Sequence, residues 1–159
     1  MKLKQFSLFL ENKPGNIRKI YRTLDDHGIS IETMVLADTE HYGVLRILVK
    51  NWEAAKEVFE KNGMVFRISE VIAVAVDCRS GGLTGVLDIL DENGLNVEYM
   101  YGFFHSFPNN TGLTPDCPLP AADAANTVVV FRFENPDACI ETLKKRNIRI
   151  IGEQELFNS

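Results

Sequence analysis

Three cysteines, one tryptophan and no long hydrophobic run set the first limits on this 159-residue chain. Cys78, Cys117 and Cys139 are odd in number, far apart, and include no C-x-x-C pair, which argues against a disulfide framework or a zinc site. The longest purely aliphatic stretch, Val71 to Val76, falls far short of the roughly 20 residues a membrane-spanning helix needs. Met1-Lys2-Leu3-Lys4 followed by Phe6 to Leu10 has the charge order of a signal peptide, but Glu11 ends its apolar part too early. Asn109-Asn110-Thr111 spells a glycosylation sequon and, without a secretion signal, reads as chance. The expected location is cytoplasmic, with no membrane partner. Positive charge is also scarce. With a net charge of −5 and a pI near 5.2, the chain has no means of neutralising a phosphate backbone, so no nucleic acid is expected as a partner. Its one short basic cluster, Lys144-Lys145-Arg146, sits where a helix should end and complements the helix dipole there.

What is present is ordinary in kind: 45% apolar and 25% charged residues, enough for one domain or two small ones with a real core. The organisation is less ordinary, because the chain repeats itself. Glu11-Asn12-Lys13-Pro14-Gly15-Asn16-Ile17 lies over Asp77-Cys78-Arg79-Ser80-Gly81-Gly82-Leu83 at the Gly15-to-Gly81 offset of 66. The same offset carries Leu24-Asp25 onto Leu90-Asp91, Gly28 onto Gly94, Glu32 onto Glu98 and Met34 onto Met100. Further on, Asn51-Trp52-Glu53-Ala54 matches Asn135-Pro136-Asp137-Ala138 at an offset of 84. The difference between the offsets gives the second copy 18 extra residues, and they lie between Ser106 and Asn126, a stretch holding four of the six prolines.

Each copy has the same coarse order of elements. Phe6, Leu8 and Leu10 alternate with Ser7 and Phe9, the pattern of a strand with one buried face. Ile17, Ile20, Tyr21 and Leu24 recur at helical spacing before Gly28, which stands at a C-terminal cap. Ile29–Ala37 and Tyr42–Val49 read as strands joined by a polar turn at Asp38–His41. Asn51 suits the N-cap of a second helix with Ala55, Val58 and Phe59 as its apolar stripe. Met64–Ser69 supplies a last strand. The second copy gives strands near Ile72–Val76, Leu95–Phe104, Thr127–Phe133 and Ile148–Gly152, and helices starting at Gly82 and after Asn135, with Pro136 at a first helical position. Strand, helix, strand, strand, helix, strand is the split βαβ order. The expected fold class is α+β: two ferredoxin-like βαββαβ modules, antiparallel sheets with helices on one face. The expected modules are residues 1–70 and 71–159, with almost no linker at Ser69-Glu70-Val71 and a loop insertion at about 106–126 in the second. The second sheet face needs cover, and the two modules can join edges into one long sheet, stack, or recruit a second chain; a homodimer is expected, through a surface the sequence does not name.

The segment Glu11-Asn12-Lys13-Pro14-Gly15-x-Ile17, with its helix closing at Gly28-Ile29-Ser30-Ile31, resembles the ACT domain signature. Gly81-Gly82-Leu83 and the helix closing at Gly94-Leu95-Asn96-Val97 resemble it in turn. The match covers nearly all of the chain outside the insertion, with no catalytic domain attached. ACT domains have the ferredoxin-like order and usually sense amino acids at the interface between paired modules. The resemblance therefore implies a regulatory protein that is not an enzyme, needs no cofactor, and acts on a protein target the sequence does not name. One departure is visible: Cys78-Arg79-Ser80-Gly81 replaces the Asn-x-Pro-Gly of the first copy, so the two loops need not bind equally.

Physical chemistry gives such a loop a reason to hold a carboxylate. A tight turn into a helix leaves the first amides without intrahelical partners, and the helix dipole stands behind them. The expected ligand residues are Asn12, Pro14, Gly15, Asn16 and Ile17 in the first loop and Ser80, Gly81, Gly82 and Leu83 in the second. By the resemblance, Met34, Tyr99 and Met100 of the second strands line the side-chain pocket, with Thr33 and Tyr101 beside them. Glu32 or Glu98, or strand carbonyls, would accept from the ammonium. At about 1.5–3 kcal/mol for each charge-assisted bond, a zwitterion of about ten heavy atoms reaches micromolar to sub-millimolar affinity.

Plainer readings stand beside these. Gly15 and Gly81 taken singly are ordinary turn residues. Met34 and Met100 read as core packing first and pocket lining second. Glu32 and Glu98 read equally as solvent-facing. Tyr99 and Tyr101 share one sheet face and fill an interface or a ligand site. Ser80-Gly81-Gly82-Leu83-Thr84-Gly85 hints at a phosphate cradle but lacks the Lys-Ser/Thr that would reach the outer phosphates. His27, His41 and His105 have no partner at triad or metal spacing, so no metal is expected. The alternative function is a small enzyme on the same fold, using Cys78 as a helix-terminal thiolate or paired carboxylates such as Asp25-Asp26 and Asp91-Glu92. The Ser106–Asn126 insertion reads as a lid or as a disordered hairpin.

Overall fold

The computed structural model describes residues 1–38, 41–76, 80–106 and 125–157. Thr39 and Glu40 of the expected turn, Cys78, Cys117 and residues 107–124 of the insertion lie outside the described residues. The chain runs β1 (Lys2–Glu11), α1 (Asn16–Asp25), β2 (Ile31–Asp38), β3 (Tyr42–Val49), α2 (Trp52–Lys61), β4 (Phe66–Val76), α3 (Gly82–Glu92), β5 (Val97–Ser106), β6 (Ala125–Phe133), α4 (Pro136–Lys145), β7 (Ile150–Ile151) and α5 (Glu153–Phe157). It divides into two compact units, Lys4–Ser69 and Met1–Leu3 with Glu70–Ser159.

In the Lys4–Ser69 unit the strand order is β2-β3-β1, with β4 beside β1. β1 and β3 pair antiparallel with Phe6 opposite Ile47 and Leu8 opposite Leu45, and β2 pairs antiparallel with β3, placing Met34 opposite Ile47. The two-residue side-chain period then puts Phe6, Leu8, Leu45 and Ile47 on one face, where Ile20, Leu24, Ala55, Val58 and Phe59 from the helices close the core. Phe6, Phe59 and Phe66 form its centre, with ring centroids 5.1 Å, 5.4 Å and 5.7 Å apart in edge-on and tilted contacts.

The other unit repeats the plan. β4 and β6 pair antiparallel with Ile72 opposite Phe131 and Val74 opposite Val129, β5 adds outside β6, and β7 pairs with β4 on its other side. Its core gathers Ile72, Val74, Val86, Leu90, Phe131, Phe133, Cys139 and Leu143. At matching positions it has Ile72, Leu143 and Ile150 where the first unit has Phe6, Phe59 and Phe66, and Phe131 and Phe133 where the first has Ile47 and Val49. Bulk has moved between elements while the face stays filled.

The two ferredoxin-like βαββαβ orders expected from the sequence are those observed. Three details differ. The strands expected at Met64–Ser69 and Ile72–Val76 are one strand, β4, because Ser69-Glu70-Val71 contains no glycine or proline to interrupt it. β1 begins at Lys2, four residues before the alternation becomes obvious. β7 keeps only two residues, and Glu153–Phe157 forms a short helix that the period-based reading misses.

Helix ends follow from local chemistry. Asn51 Oδ1 accepts from Ala54 N at 3.1 Å and Asn135 Oδ1 from Ala138 N at 3.2 Å, capping α2 and α4. At the other ends, α1 closes with Gly28 N donating to Asp25 O and Ile29 N to Leu24 O. α2, α3 and α4 close the same way, with Asn147 taking the left-handed position that glycine holds in the others.

Lys2 pairs with Glu70 at 2.9 Å and Asp137 at 3.1 Å, and those hydrogen bonds raise its pKa above the ordinary lysine value. Burial pushes the Cys139 thiol up to about 11. Because the folded value lies above the unfolded one, the stability Cys139 contributes is present at neutral pH and is lost as pH rises from about 9 toward 11. Thiol titration of the native protein at pH 7.5 should leave Cys139 unmodified until denaturant is added. Phe59→Ala should lower unfolding free energy by about 3–5 kcal/mol and Asn135→Ala by about 1 kcal/mol, read from urea transitions.

Candidate functional site

The four long helices begin in two different ways. α2 and α4 carry side-chain caps, whereas α1 and α3 each follow a left-handed glycine with no side-chain cap bond: Gly15 at φ 92°, ψ −19° and Gly81 at φ 95°, ψ −16°. That backbone region costs an L side chain about 1–2 kcal/mol, so glycine is required by conformation. It is not required by space, since nothing lies within 4 Å of a Cβ built at either position.

Around Gly15 the turn is braced from outside the helix. Asn12 N donates to His41 O at 2.9 Å, Lys13 N to Glu11 O at 2.8 Å, and Asn16 Nδ2 to Glu11 O at 2.8 Å. Lys13 and Glu11 neutralise each other in an ion pair at 2.5 Å. Asn16 N reaches Lys13 O at 3.3 Å, and Lys19 N donates to Gly15 O at 2.9 Å as the first helical bond. Between these two, the N–H groups of Ile17 and Arg18 have no acceptor among the described residues. In the second copy Gly85 N donates to Gly81 O at 2.8 Å, and the N–H groups of Leu83 and Thr84 are likewise without an acceptor among the described residues. Asn12, Pro14, Gly15 and Ile17 are exposed and Asn16 half-buried; Ser80 and Gly81 are exposed, Gly82 and Leu83 half-buried. These are open pairs of donors at the positive end of a helix, suited to a carboxylate or another small oxyanion.

The strand residues sit differently from expectation. Met34 is 56% exposed and Met100 41%, so neither is a core residue. The reason is position: β2 and β5 are the outer strands of their orders, and their helix-side residues overhang the last covering helix. Tyr21 Oη donates to Met34 Sδ across that overhang, and burial pushes the Tyr21 phenol up. Ile17 lies one turn before Tyr21 on the same side of α1, which brings it to the same flank as Met34. Leu83, Leu87 and Met100 hold the matching places in the other unit. Tyr99 is half-buried opposite Arg132, on the other sheet face from Met100. The register breaks at Ile31/Thr33 and again at Val97/Tyr99, so a bulge is duplicated along with the sequence.

Of the residues considered for an ammonium, Glu98 pairs with Arg132 at 3.6 Å and is thereby less available, while Glu32 is half-buried. Thr33 is buried and Tyr101 half-buried. Asp25, Asp26, Asp91 and Glu92 are exposed, with Glu92 held by Arg146 at 2.8 Å, so neither pair has the desolvation that would separate an acid from a base. His27 Nδ1 lies 2.8 Å from Thr23 O, His41 is exposed, and His105 is buried against the edge of Phe103. Among the described residues no group of His, Cys, Asp and Glu could hold a metal ion, and no helix is long and apolar enough to cross a membrane.

Sequence reasoning misses one feature. A cavity of about 210 Å³ opens on the opposite flank of α1 from Met34, lined by Leu8, Leu10, Asn16, Lys19, Asn62 and Met64 among others. No local pattern joins the β1–α1 region to the α2–β4 turn, so only the fold reveals it.

A family described as an ACT domain pair matches residues 1–113. No curated protein matches the chain in sequence. Among solved structures, a protein of Bacteroides thetaiotaomicron is 28% identical, covers 100% of this chain and 98% of its own length, and superposes with a TM-score of 0.83. The ligand-free regulatory subunit of aspartate kinase from Thermus thermophilus is 13% identical at a TM-score of 0.57, covering 91% of each chain. Its counterpart from Thermus flavus is 12% identical at 0.54, with the same coverage. At these identities the two regulatory subunits share the fold.

The two kinds of glycine in this region should respond oppositely to alanine. Gly15→Ala is expected to destabilise by about 1–2 kcal/mol through its left-handed backbone. Gly85→Ala, inside α3 with open space at its Cβ, should stabilise by about 0.5–1 kcal/mol. Urea denaturation of the two variants beside the parent checks both signs.

Proposed function

The chain belongs to the ACT domain pair family, and from that premise we propose that it is a non-catalytic regulatory protein whose ligand is a small amino acid. The ligand carboxylate is held by the amides of Ile17 and Arg18 after Gly15, and in the second copy by those of Leu83 and Thr84 after Gly81. Asn12, Pro14 and Asn16 shape the first loop, and Ser80 and Gly82 the second. The overhanging Met34 and Met100 line the side-chain pocket at an interface between ACT modules, completed in a homodimer by a module of the second copy, while Tyr99 faces the other side of the sheet. Ligand occupancy then alters contacts with a partner protein in the cytoplasm.

One observation carries this reading: at the starts of α1 and α3 the second and third helical amides have no acceptor among the described residues, while in α2 and α4 an asparagine caps the third. The loops differ in one respect. Asn16 braces the first through Glu11 O, and glycine stands in its place in the second. The first site should therefore be the better ordered and the tighter.

Thermal denaturation in the presence of each of the twenty amino acids tests the proposal. At a hundred times Kd a bound ligand adds about 2.7 kcal/mol, which for a chain of this size raises Tm by about 5–10 °C. One or two amino acids should do so, and Gly15→Val, which strains the left-handed turn that presents the amides, should remove most of the shift. A flat response to all twenty, or full retention of the shift in both Gly15→Val and Gly81→Val, would overturn it.

A further inference from the structure

We propose that the Lys4–Ser69 unit contains a second, self-contained site that takes a small zwitterion with an aliphatic side chain, in the cavity between α1, β1 and the α2–β4 turn. The cavity measures about 210 Å³ and all its lining residues belong to that one unit. It is open to solvent and smaller than the roughly 300 Å³ at which pockets for drug-sized ligands begin, which suits a small metabolite.

Its chemistry is three-part. Leu8, Leu10 and Met64 give it an apolar floor. Lys19 brings the single charged side chain in the lining, and no carboxylate among the described residues pairs with it. Asn16 and Asn62 supply the third part. Asn16 Nδ2 donates to Glu11 O and Asn62 Nδ2 donates to Val58 O, each at 2.8 Å. A backbone carbonyl only accepts, so both amide orientations are fixed by their partners and both Oδ1 atoms are the open ends. A cation, two hydrogen-bond acceptors and an apolar floor complement a carboxylate, an ammonium and an alkyl chain. No ion of a single sign uses all three.

The site is not duplicated. Gly82, Gly85 and Arg146 occupy the places of Asn16, Lys19 and Asn62 in the second copy, and Arg146 is engaged with Glu92 at 2.8 Å. One such site per chain follows. It shares Asn16 with the first loop, but the carboxylate here is held by the Lys19 side chain and not by the loop amides.

The test is a titration of the full chain with L-leucine, L-valine and L-methionine, followed by backbone amide NMR. The reporters are the amides of Asn62, Gly63, Met64 and Val65, remote in sequence from both loops. At least one of the three should move them saturably with unit stoichiometry. For leucine, 4-methyl-2-oxopentanoate, which lacks the ammonium, and isopentylamine, which lacks the carboxylate, should each bind at least tenfold more weakly. Lys19→Met, at an exposed position that leaves the core untouched, should weaken the amino acid at least tenfold, and Met64→Trp should abolish the response by filling the cavity. Unmoved reporters with all three amino acids overturn the proposal, as does a Lys19→Met variant within twofold of the parent or an oxo acid that binds as well as leucine. Shifts confined to Ile17, Arg18, Leu83 and Thr84 would overturn this site and leave the loop reading standing. Shifts at Asn62–Val65 alone would support this site, the loop reading being decided by the screen of all twenty amino acids.

Discussion

A left-handed glycine at the start of a helix is the constraint on which the candidate site depends. At Gly15 and at Gly81 the backbone enters the helix with φ near +90°, a conformation from which no side chain caps the first turn. The amides of Ile17 and Arg18, and of Leu83 and Thr84, have no acceptor among the described residues, and the helix dipole makes a negative group their favoured occupant. The contrast with α2 and α4 shows that this is not a general property of the fold. There Asn51 and Asn135 accept from the third helical residue, so that one of these donors is satisfied internally. Duplication preserved the distinction: one capped and one uncapped helix in each copy.

Duplication did not preserve everything, and the differences sort by physical role. Core positions exchanged phenylalanine for aliphatics in a compensating way, as expected where only the filling of a volume is at stake. Backbone devices survived unchanged: the two left-handed turns, the four identical helix closures and the paired bulges at Ile31/Thr33 and Val97/Tyr99. Polar side chains on the flank of α1 did not survive, with Asn16 and Lys19 becoming Gly82 and Gly85. Features that recur answer to the geometry of the fold. Features that occur once answer to the chemistry of one copy.

This sorting explains how much was legible in the sequence. The element order was legible because hydrophobic period and the offset of 66 say the same thing twice, and Gly28, Asn51 and Pro136 mark boundaries by local chemistry alone. The merger of two expected strands into β4 was hidden because Met64 and Ile72 begin apolar runs that look separate, although nothing between them breaks a strand. The methionines were misread because a residue's place on an outer strand depends on sheet order, which pairing sets and periodicity does not. In the candidate site the loops were legible as contiguous residues. The cavity beside Lys19 was not, since Leu8, Lys19 and Asn62 meet only once β1, α1 and the α2–β4 turn are assembled.

The exposed apolar residues give the open amides a further consequence. Ile17, 40% exposed, belongs to the first turn of α1 whose N–H groups are open, and Met34 and Leu36 lie exposed on the adjoining strand. A surface that covers this strip gains about 25 cal/mol for each Å² of apolar area removed from water. The same surface also bounds the space in front of the amides and lowers the dielectric around any anion held there. A ligand and a cover would thus act on one set of residues, and the two equilibria would be coupled wherever the stronger amide–anion attraction outweighs the anion's desolvation. Because binding free energies are reciprocal, a ligand that is held better under the cover must tighten the cover by the same factor. A regulatory role therefore needs no long-range pathway through the fold: two neighbouring equilibria sharing the first turns of α1 are sufficient.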